Sequence, residues 1–223
     1  MGNAKFRQST GGSLKFKRSL NIVWELSLTL EESSIIGHEG ELERAVVFAD
    51  PLQISHEGIE LSGTKFRMHS KTENIVSSVG RAHKIVHGPF FKSENGNLSE
   101  QILKLTSMGA WSPGLPKGES LNVTISNLSI DHEYEIRLTF SHGKKNGSRS
   151  IMIGPNDFEA KLSDSYVNIV IGKFVANTSV LDLKIKSTDE GQPFINSLVL
   201  RKLRFLPRTN AFIKLFERQK VID

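Results

Sequence analysis

Residues 119–154 read ESLNVTISNLSIDHEYEIRLTFSHGKKNGSRSIMIG, and apolar and polar side chains alternate in two runs of this stretch. The first run is Leu121–Ile125 and the second is Tyr134–Phe140. A period of two places one face of a β-strand in a core and the other face in water. The turn-forming segments SNLSIDHE and SHGKKNGS separate the strands, as in antiparallel sheets. The stretch therefore predicts an antiparallel β-sandwich.

The same kind of pattern extends outward from this stretch in both directions. Downstream, Leu181–Ile185 alternates in the same way, and upstream IVWELSLTL after Asn21 alternates over most of its length. Shorter apolar runs predict further strands, at Arg44–Phe48, Ile59–Phe66 and Lys84–His87. The fold class that follows is all-β, an antiparallel β-sandwich with a short helix or two and a C-terminal helical tail.

One helix is predicted inside this domain. Residues Leu98–Met108 have apolar side chains at helical spacing, and Ser99 can cap the helix at its N-terminus. The segment GAWSPGLPKG that follows is rich in Gly and Pro and predicts a loop, which carries Trp111.

The two ends of the chain differ in charge from its middle. Residues 1–20 carry five Lys and Arg and no acid, and residues 201–223 carry seven Lys and Arg against two acids. We therefore expect a flexible basic arm at 1–20, a sandwich domain at 21–206 and a basic helical tail at 207–223. In the tail, Phe212, Leu215 and Phe216 fall on one side of a helix.

Composition excludes several classes of protein. The 223 residues include no cysteine, so disulfides, thiolate chemistry and cysteine–zinc sites are absent. No apolar run approaches the ~20 residues that span a bilayer, so we expect no transmembrane segment. The net charge of +5 comes from the ends rather than from the domain, a distribution that disfavours nucleic acid as a partner.

Four segments resemble one known family. They are GELERAVVFADPLQISHEGIELSGTKF at 40–66, ILKLTSMGAWSP at 102–113, LNVTISNLSIDHEYEIRLTFSH at 121–142 and GKFVANTSVLDLKIKSTDEGQPFINSLVLRKL at 172–203. They are similar to the motifs of galactose-binding-domain-like jelly-roll modules in secreted bacterial proteins that degrade polysaccharides. The resemblance covers about residues 35–203 and implies a jelly-roll sandwich. Where the family commonly has Asp after its Tyr strand, this chain has Ser141.

Catalytic motifs are absent from the sequence. There is no GxSxG, GxGxxG or GxxxxGK[ST], and the carboxylates stand in no distinctive arrangement. Glu135 and Asp182 fall on the polar faces of predicted strands, where we expect them to be solvated. His83 and His87 are four apart on a predicted strand, about 13 Å along it, which is too far to share an ion. The sequence favours a protein that is not an enzyme.

Sugar binding needs an aromatic ring to stack on a pyranose and polar groups to bond its hydroxyls. In its predicted loop, Trp111 is the candidate platform, with Asn146 and Arg149 as partners if the SHGKKNGSR turn is nearby. Alternatively, the polar sheet face forms a concave binding surface, with Asn122, Thr124, Glu135, Arg137 and Thr139. Plain solvation of that face is the competing interpretation.

These observations lead to one preferred function and two alternatives. We expect a non-catalytic carbohydrate-binding or cell-surface accessory module that is secreted, periplasmic or at the cell surface, with a polysaccharide or glycan as partner. The first alternative is a protein-interaction module that docks a neighbouring domain or protein through the C-terminal tail. The second is a glycan-acting hydrolase. We expect no cofactor, although a structural calcium ion, with ligands unassigned, is compatible with this fold class.

Overall fold

The computed structural model describes residues 20–48, 59–68, 75–79, 84–87, 98–111, 120–141, 149–163, 166–188 and 193–206. Within these ranges the chain forms two short helices, α1 (Glu32–Ile36) and α2 (Glu100–Thr106), and fifteen strands. The strands are β1 (Ile22–Thr29), β2 (Glu41–Val47), β3 (Ile59–Leu61), β4 (Thr64–Met68), β5 (Ile75–Val79), β6 (Lys84–His87), β7 (Met108–Trp111), β8 (Ser120–Ile125), β9 (His132–Phe140), β10 (Arg149–Gly154), β11 (Phe158–Leu162), β12 (Val167–Val175), β13 (Leu181–Ser187), β14 (Phe194–Ile195) and β15 (Ser197–Phe205).

The described strands form three sheets. The largest has the order β1-β12-β9-β15-β2-β4-β3, the second β11-β10-β13-β8-β5, and the third β14-β7-β6. Every pairing is antiparallel except that of β2 with β4, which is parallel. The chain is therefore an all-β sandwich, as the alternating runs predict.

The main core lies between the seven-stranded and five-stranded sheets. The alternating apolar residues of β9 and of β8 are buried in one cluster, so the two sheets pack face to face. Within it the rings of Tyr134 and Phe174 stack with their centroids 5.6 Å apart. The Tyr134 hydroxyl, which is also buried, accepts a hydrogen bond from the Ser129 amide at 2.8 Å. The tyrosine therefore serves the scaffold rather than a ligand.

A second apolar cluster lies on the outer face of the seven-stranded sheet. Helices α1 and α2 pack over this face together with the hairpin β3–β4 at the edge of the sheet, and they bury Val167, Ile169 and Ile171 of β12 and Val199 of β15. Strand β12 is consequently buried on both faces over most of its length. Its sequence, VNIVIGKFV, is a nearly continuous apolar run, which is typical of a strand covered on both sides.

The helix predicted at Leu98–Met108 is confirmed as α2. The Ser99 side chain accepts a hydrogen bond from the Ile102 amide at 3.2 Å and so caps the N-terminus. Glu32 of α1 links the covering elements, because its carboxylate accepts from the Ser99 hydroxyl and from the Ser62 amide and hydroxyl. These hydrogen bonds, led by the one from Ser99, lower the pKa of Glu32 against the opposing effect of burial.

Two predicted boundaries are wrong. The run Ile59–Phe66 is not one strand but the hairpin β3–β4, because Ser62 and Gly63 both adopt positive φ and form a tight turn. Trp111 does not lie in a loop: its backbone ends β7, opposite Phe194 of β14.

The predicted arm at 1–20, except Leu20, and the predicted tail at 207–223 lie outside the described residues. No helix in the described part of the chain is long and apolar enough to cross a membrane.

Candidate functional site

A group of charged side chains lies on the outer face of the seven-stranded sheet. Strand β9 contributes Glu133, Glu135 and Arg137 at alternating positions. In the sheet register, Lys173 of β12 lies opposite Glu135, and Arg204 of β15 lies opposite Glu133. The charged cluster, as we call it, comprises Glu39, Glu133, Glu135, Arg137, Lys173 and Arg204.

Glu135 is the most deeply buried acid of the charged cluster. Its side chain is 2% exposed, and each of its carboxylate oxygens has a cationic partner. Oε1 accepts from Arg137 Nε at 2.6 Å, and Oε2 lies 3.2 Å from Lys173 Nζ. Arg137 in turn donates from Nη1 to the Ser34 carbonyl at 2.6 Å. A charge buried this deeply requires such pairing, so Glu135 anchors the two cations around it.

Lys173 connects the buried acid to an exposed one. Its Nζ lies 3.4 Å from Glu39 Oε2, and the Glu39 side chain is 71% exposed. Burial lowers the pKa of Lys173, but its hydrogen bond and charge interaction with Glu135, with a smaller contribution from Glu39, outweigh burial and hold the pKa above its ordinary value. Lys173 is therefore a permanent cation at neutral pH.

The loop at 37–40 forms one wall beside these charges. Gly37 and Gly40 have φ of 64° and 71°, values that favour glycine. A Cβ on Gly37 would collide with the Arg137 side chain, and a Cβ on Gly40 would collide with the backbone of β15. Arg201 holds the loop by donating to the Glu39 carbonyl at 2.7 Å and the Gly40 carbonyl at 3.0 Å. The two glycines thus allow the loop to pack closely against the sheet.

A cleft of about 230 Å³ opens between this loop and the ends of β9, β12 and β15. Arg204 Nε bonds Glu133 Oε2 at 2.7 Å on one side of it, and Lys173 pairs with Glu39 on another. Ammonium and guanidinium groups supply donors, and the carboxylates supply acceptors. The cleft can therefore bind a group that both donates and accepts hydrogen bonds, such as a hydroxyl. The lining residues are Glu39, Gly40, Glu133, Lys173, Leu203 and Arg204.

The structure divides the polar face expected from the sequence. Asn122 and Thr124 lie on β8 in the five-stranded sheet, whereas Glu135, Arg137 and Thr139 lie on β9 in the seven-stranded sheet. The two groups face outward on opposite sides of the sandwich, so the expectation of a single binding surface is wrong. Solvation is also wrong for Glu135 and Thr139, since both are buried, and the loop at 37–40 lies against the Glu135 side chain.

The other expected site residues fall near the three-stranded sheet. Phe194 is the register partner of Trp111, and the Arg149 guanidinium carbon lies 4.9 Å from the centre of the Phe194 ring. Strands β7 and β14 thus bring the backbone of Trp111 near Arg149. Asn146 lies outside the described residues.

Sequence reasoning assigns no binding role to four members of the charged cluster, Glu39, Glu133, Lys173 and Arg204. One signal was available for Lys173, because it is the only charge in the apolar strand β12. A charged side chain in a strand buried on both faces requires a partner. The partners come from other elements, so their identity could not be read from local sequence.

Among the residues that the structure describes, no three His, Cys, Asp or Glu side chains are arranged to hold a metal ion. The sequence has two short acidic segments that could supply oxygen ligands to calcium, at 156–157 and 189–190, and the second lies outside the described residues. In the other, Asn156 donates from its amide to the Ile22 carbonyl at 3.0 Å and to the Asn21 side chain. The calcium expectation therefore stays unassigned.

Comparison with known proteins gives structural matches with low sequence identity and low TM-scores. No family model matches the chain, and no curated protein matches it. Among solved structures, a Bacteroides uniformis β-glucuronidase covalently bound to cyclophellitol-6-carboxylate aziridine is 13% identical with a TM-score of 0.47, and the match covers 72% of this chain. A Bacillus subtilis protein is 11% identical with a TM-score of 0.45, over 74% of this chain and 41% of its own. A GH115 4-O-methyl-α-glucuronidase is 16% identical with a TM-score of 0.33, over 65% of this chain and 20% of its own. The chain spans 18% of the length of the β-glucuronidase, and no functional assignment follows from similarities of this size.

Proposed function

We propose that this β-sandwich is a non-catalytic carbohydrate-binding module and that it binds sugar in the cleft of the charged cluster. The observation that carries the proposal is the lining of the cleft, where paired acids and bases on a rigid sheet face one small opening. Sugar hydroxyls donate and accept hydrogen bonds at once, so they can insert between such pairs. Hydrogen bonds to charged groups are the stronger kind.

The size of the cleft bears on the ligand. About 230 Å³ is below the range of roughly 300–1,000 Å³ typical of pockets for drug-sized ligands. A single sugar ring of a longer chain fits this space better than an enclosed oligosaccharide does. Leu203 supplies an apolar surface for the C–H face of the ring, in a lining that is otherwise charged apart from Gly40.

Ion pairing in the cleft favours binding over catalysis. Hydrolysis of a glycosidic bond requires one carboxyl group that holds a proton and a second that acts as base or nucleophile. Glu133 is paired with Arg204, and Glu135 with Arg137 and Lys173. These carboxylates therefore accept from their cationic partners and are not arranged as a facing acid and base across an open cleft.

The proposal includes a cellular setting and an alternative location. An accessory module of this kind acts beside a neighbouring domain or at a cell surface, in a secreted or periplasmic protein, and requires no cofactor. If the cleft does not bind sugar, the surface near Trp111 is the next candidate, since Arg149 stacks on Phe194 beside it.

Affinity electrophoresis through gels that contain neutral or acidic polysaccharides tests the function. We expect at least one polysaccharide to retard the protein relative to a sugar-free gel. Glu39→Ala and Arg204→Gln each remove a charged hydrogen-bonding group, so we expect each to weaken binding about tenfold. Thermal unfolding of Arg204→Gln checks its fold, because Glu133 then loses its cation.

Two controls locate the site. Lys184→Ala removes an exposed cation from the outer face of the five-stranded sheet and should leave retardation unchanged. Trp111→Ala should also leave it unchanged. If none of the polysaccharides retards the protein, the proposed function is wrong. If retardation is lost only in Trp111→Ala, the sugar site lies at the three-stranded sheet instead of the cleft.

A further inference from the structure

Three of the large apolar side chains that are exposed lie at one end of the sandwich. Ile130, Val180 and Phe205 are 43%, 41% and 59% exposed. Single exposed apolar residues are common on protein surfaces, but a group of them at one place marks a surface that another segment or molecule covers. We call these three residues the end patch.

Backbone hydrogen bonds hold the three parts of the end patch together. The Leu128 amide donates to the Ser179 carbonyl at 3.0 Å, which joins the loop before β9 to the loop after β12. The Leu206 amide donates to the Asp131 carbonyl at 2.8 Å, which joins the end of β15 to the first of these loops. The Phe205 ring also packs against the His132 ring, with centroids 5.1 Å apart. The surface is therefore ordered before anything binds to it.

The chain itself supplies a segment of suitable chemistry at this place. The described chain reaches Leu206, next to Phe205, and seventeen residues follow it. In helical spacing Phe212, Leu215 and Phe216 form an apolar face. The four residues 207–210 before the predicted helical segment can span about 13 Å, which is enough for that segment to turn back onto the sandwich.

We propose that residues 207–223 of the same chain cover the end patch, with the face of Phe212 and Phe216 against Phe205, Ile130 and Val180. The tail docks in cis because its linker is short and its starting point adjoins the patch, which gives it a high effective concentration there. This inference is independent of the sugar-binding proposal, since the end patch includes no residue that lines the cleft.

Limited trypsin digestion of the full chain tests the docking. Lys214 and Arg218 are cleavage points within the tail, and cleavage follows the population in which the tail is undocked. We expect Phe205→Ala and Phe216→Ala each to speed cleavage in the tail by about tenfold, the effect of losing one aromatic contact. Combined, the two changes should add little to either one, because they remove the same contact.

The matched control is Leu28→Ala, which removes an exposed apolar side chain at the opposite end of β1 and β12. We expect it to leave tail cleavage unchanged. Equal cleavage rates in wild type, Phe205→Ala and Leu28→Ala overturn the proposal. A rate that falls as protein concentration rises also overturns it, because a second copy then covers the patch.

Discussion

Lys173 joins two acids that come from different elements of the chain, Glu135 of β9 and Glu39 of the loop after α1. Because the sheet places Lys173 and Glu135 in register, backbone pairing brings their two side chains side by side. An ion pair held in this way loses less conformational entropy on formation than an ordinary surface pair. Lys173 also lines the cleft, so the charge that pairs with Glu135 in the fold is the one offered to a ligand.

We expect the contribution of Lys173 to stability to disappear at alkaline pH. Its pKa is higher in the folded than in the unfolded chain, so the stabilisation is complete below its ordinary value of 10.5 and is lost as the pH rises through the folded value. Urea unfolding of wild type and Lys173→Met along a pH series measures it. The stability advantage of the wild type should be constant from pH 6 to about 9 and shrink above 10.5. An advantage that grows with pH contradicts the account, and the exposed Lys184→Met is the control.

The burial of individual residues is the property that alternation predicts least well. Glu135 and Val199 occupy the outward positions of their strands, and alternation alone sends both to water. Val199 is buried because α1, α2 and β3–β4 pack against its part of that face, and Glu135 is buried by the loop at 37–40 and its cationic partners. Alternation reports which residues share a face but not what covers the face, so the main core was predictable and the second cluster was not.

Among the elements, the turn between β14 and β15 joins several parts of the fold through Asn196. Its Oδ1 accepts from the Ser141 amide at 2.6 Å and the Ser141 hydroxyl at 2.9 Å, just after β9. Its amide donates to the Thr106 carbonyl at the end of α2, at 3.3 Å. Ser141 stands where the family that this chain resembles commonly has Asp, and here it serves to connect elements.

Asn196→Ala should destabilise the protein by about 2–3 kcal/mol, because it leaves the buried Ser141 amide without an acceptor. Chemical denaturation measures the change. Asn122→Ala, on the outer face of β8, is the matched control and should change stability by less than about 0.5 kcal/mol. A loss below that value for Asn196→Ala would show that Asn196 does not hold these elements together.

Elements differ in how well their sequence predicts them. Helix α2 was predictable because Ser99 marks its start and its apolar spacing spans two turns. Helix α1 was not, since five residues give no period and Glu31 makes no side-chain cap. Gly and Pro around Trp111 predict a loop, yet pairing with Phe194 and Lys84 holds its backbone in a strand. Pairing between distant segments overrides local composition here.

At the scale of the whole molecule, burial of the seven-stranded sheet on both faces leaves little of its outer side open. The covering elements occupy one part of that face, and the cleft of the charged cluster lies at the other, beside the loop at 37–40. The seven-stranded sheet thus forms the base of the cleft, and the loop at 37–40 forms one side of it. The sequence indicates the sandwich, but the cleft depends on residues brought together from four separate segments.

Chemical-shift mapping of backbone amides during titration with an oligosaccharide, prepared from the polysaccharide that retards the protein most, tests the central claim most directly. The account expects the largest shifts at residues 37–40, 133–135, 173 and 203–204, around the cleft. Shifts concentrated at residues 109–111 and 193–195, with the cleft unaffected, would contradict it.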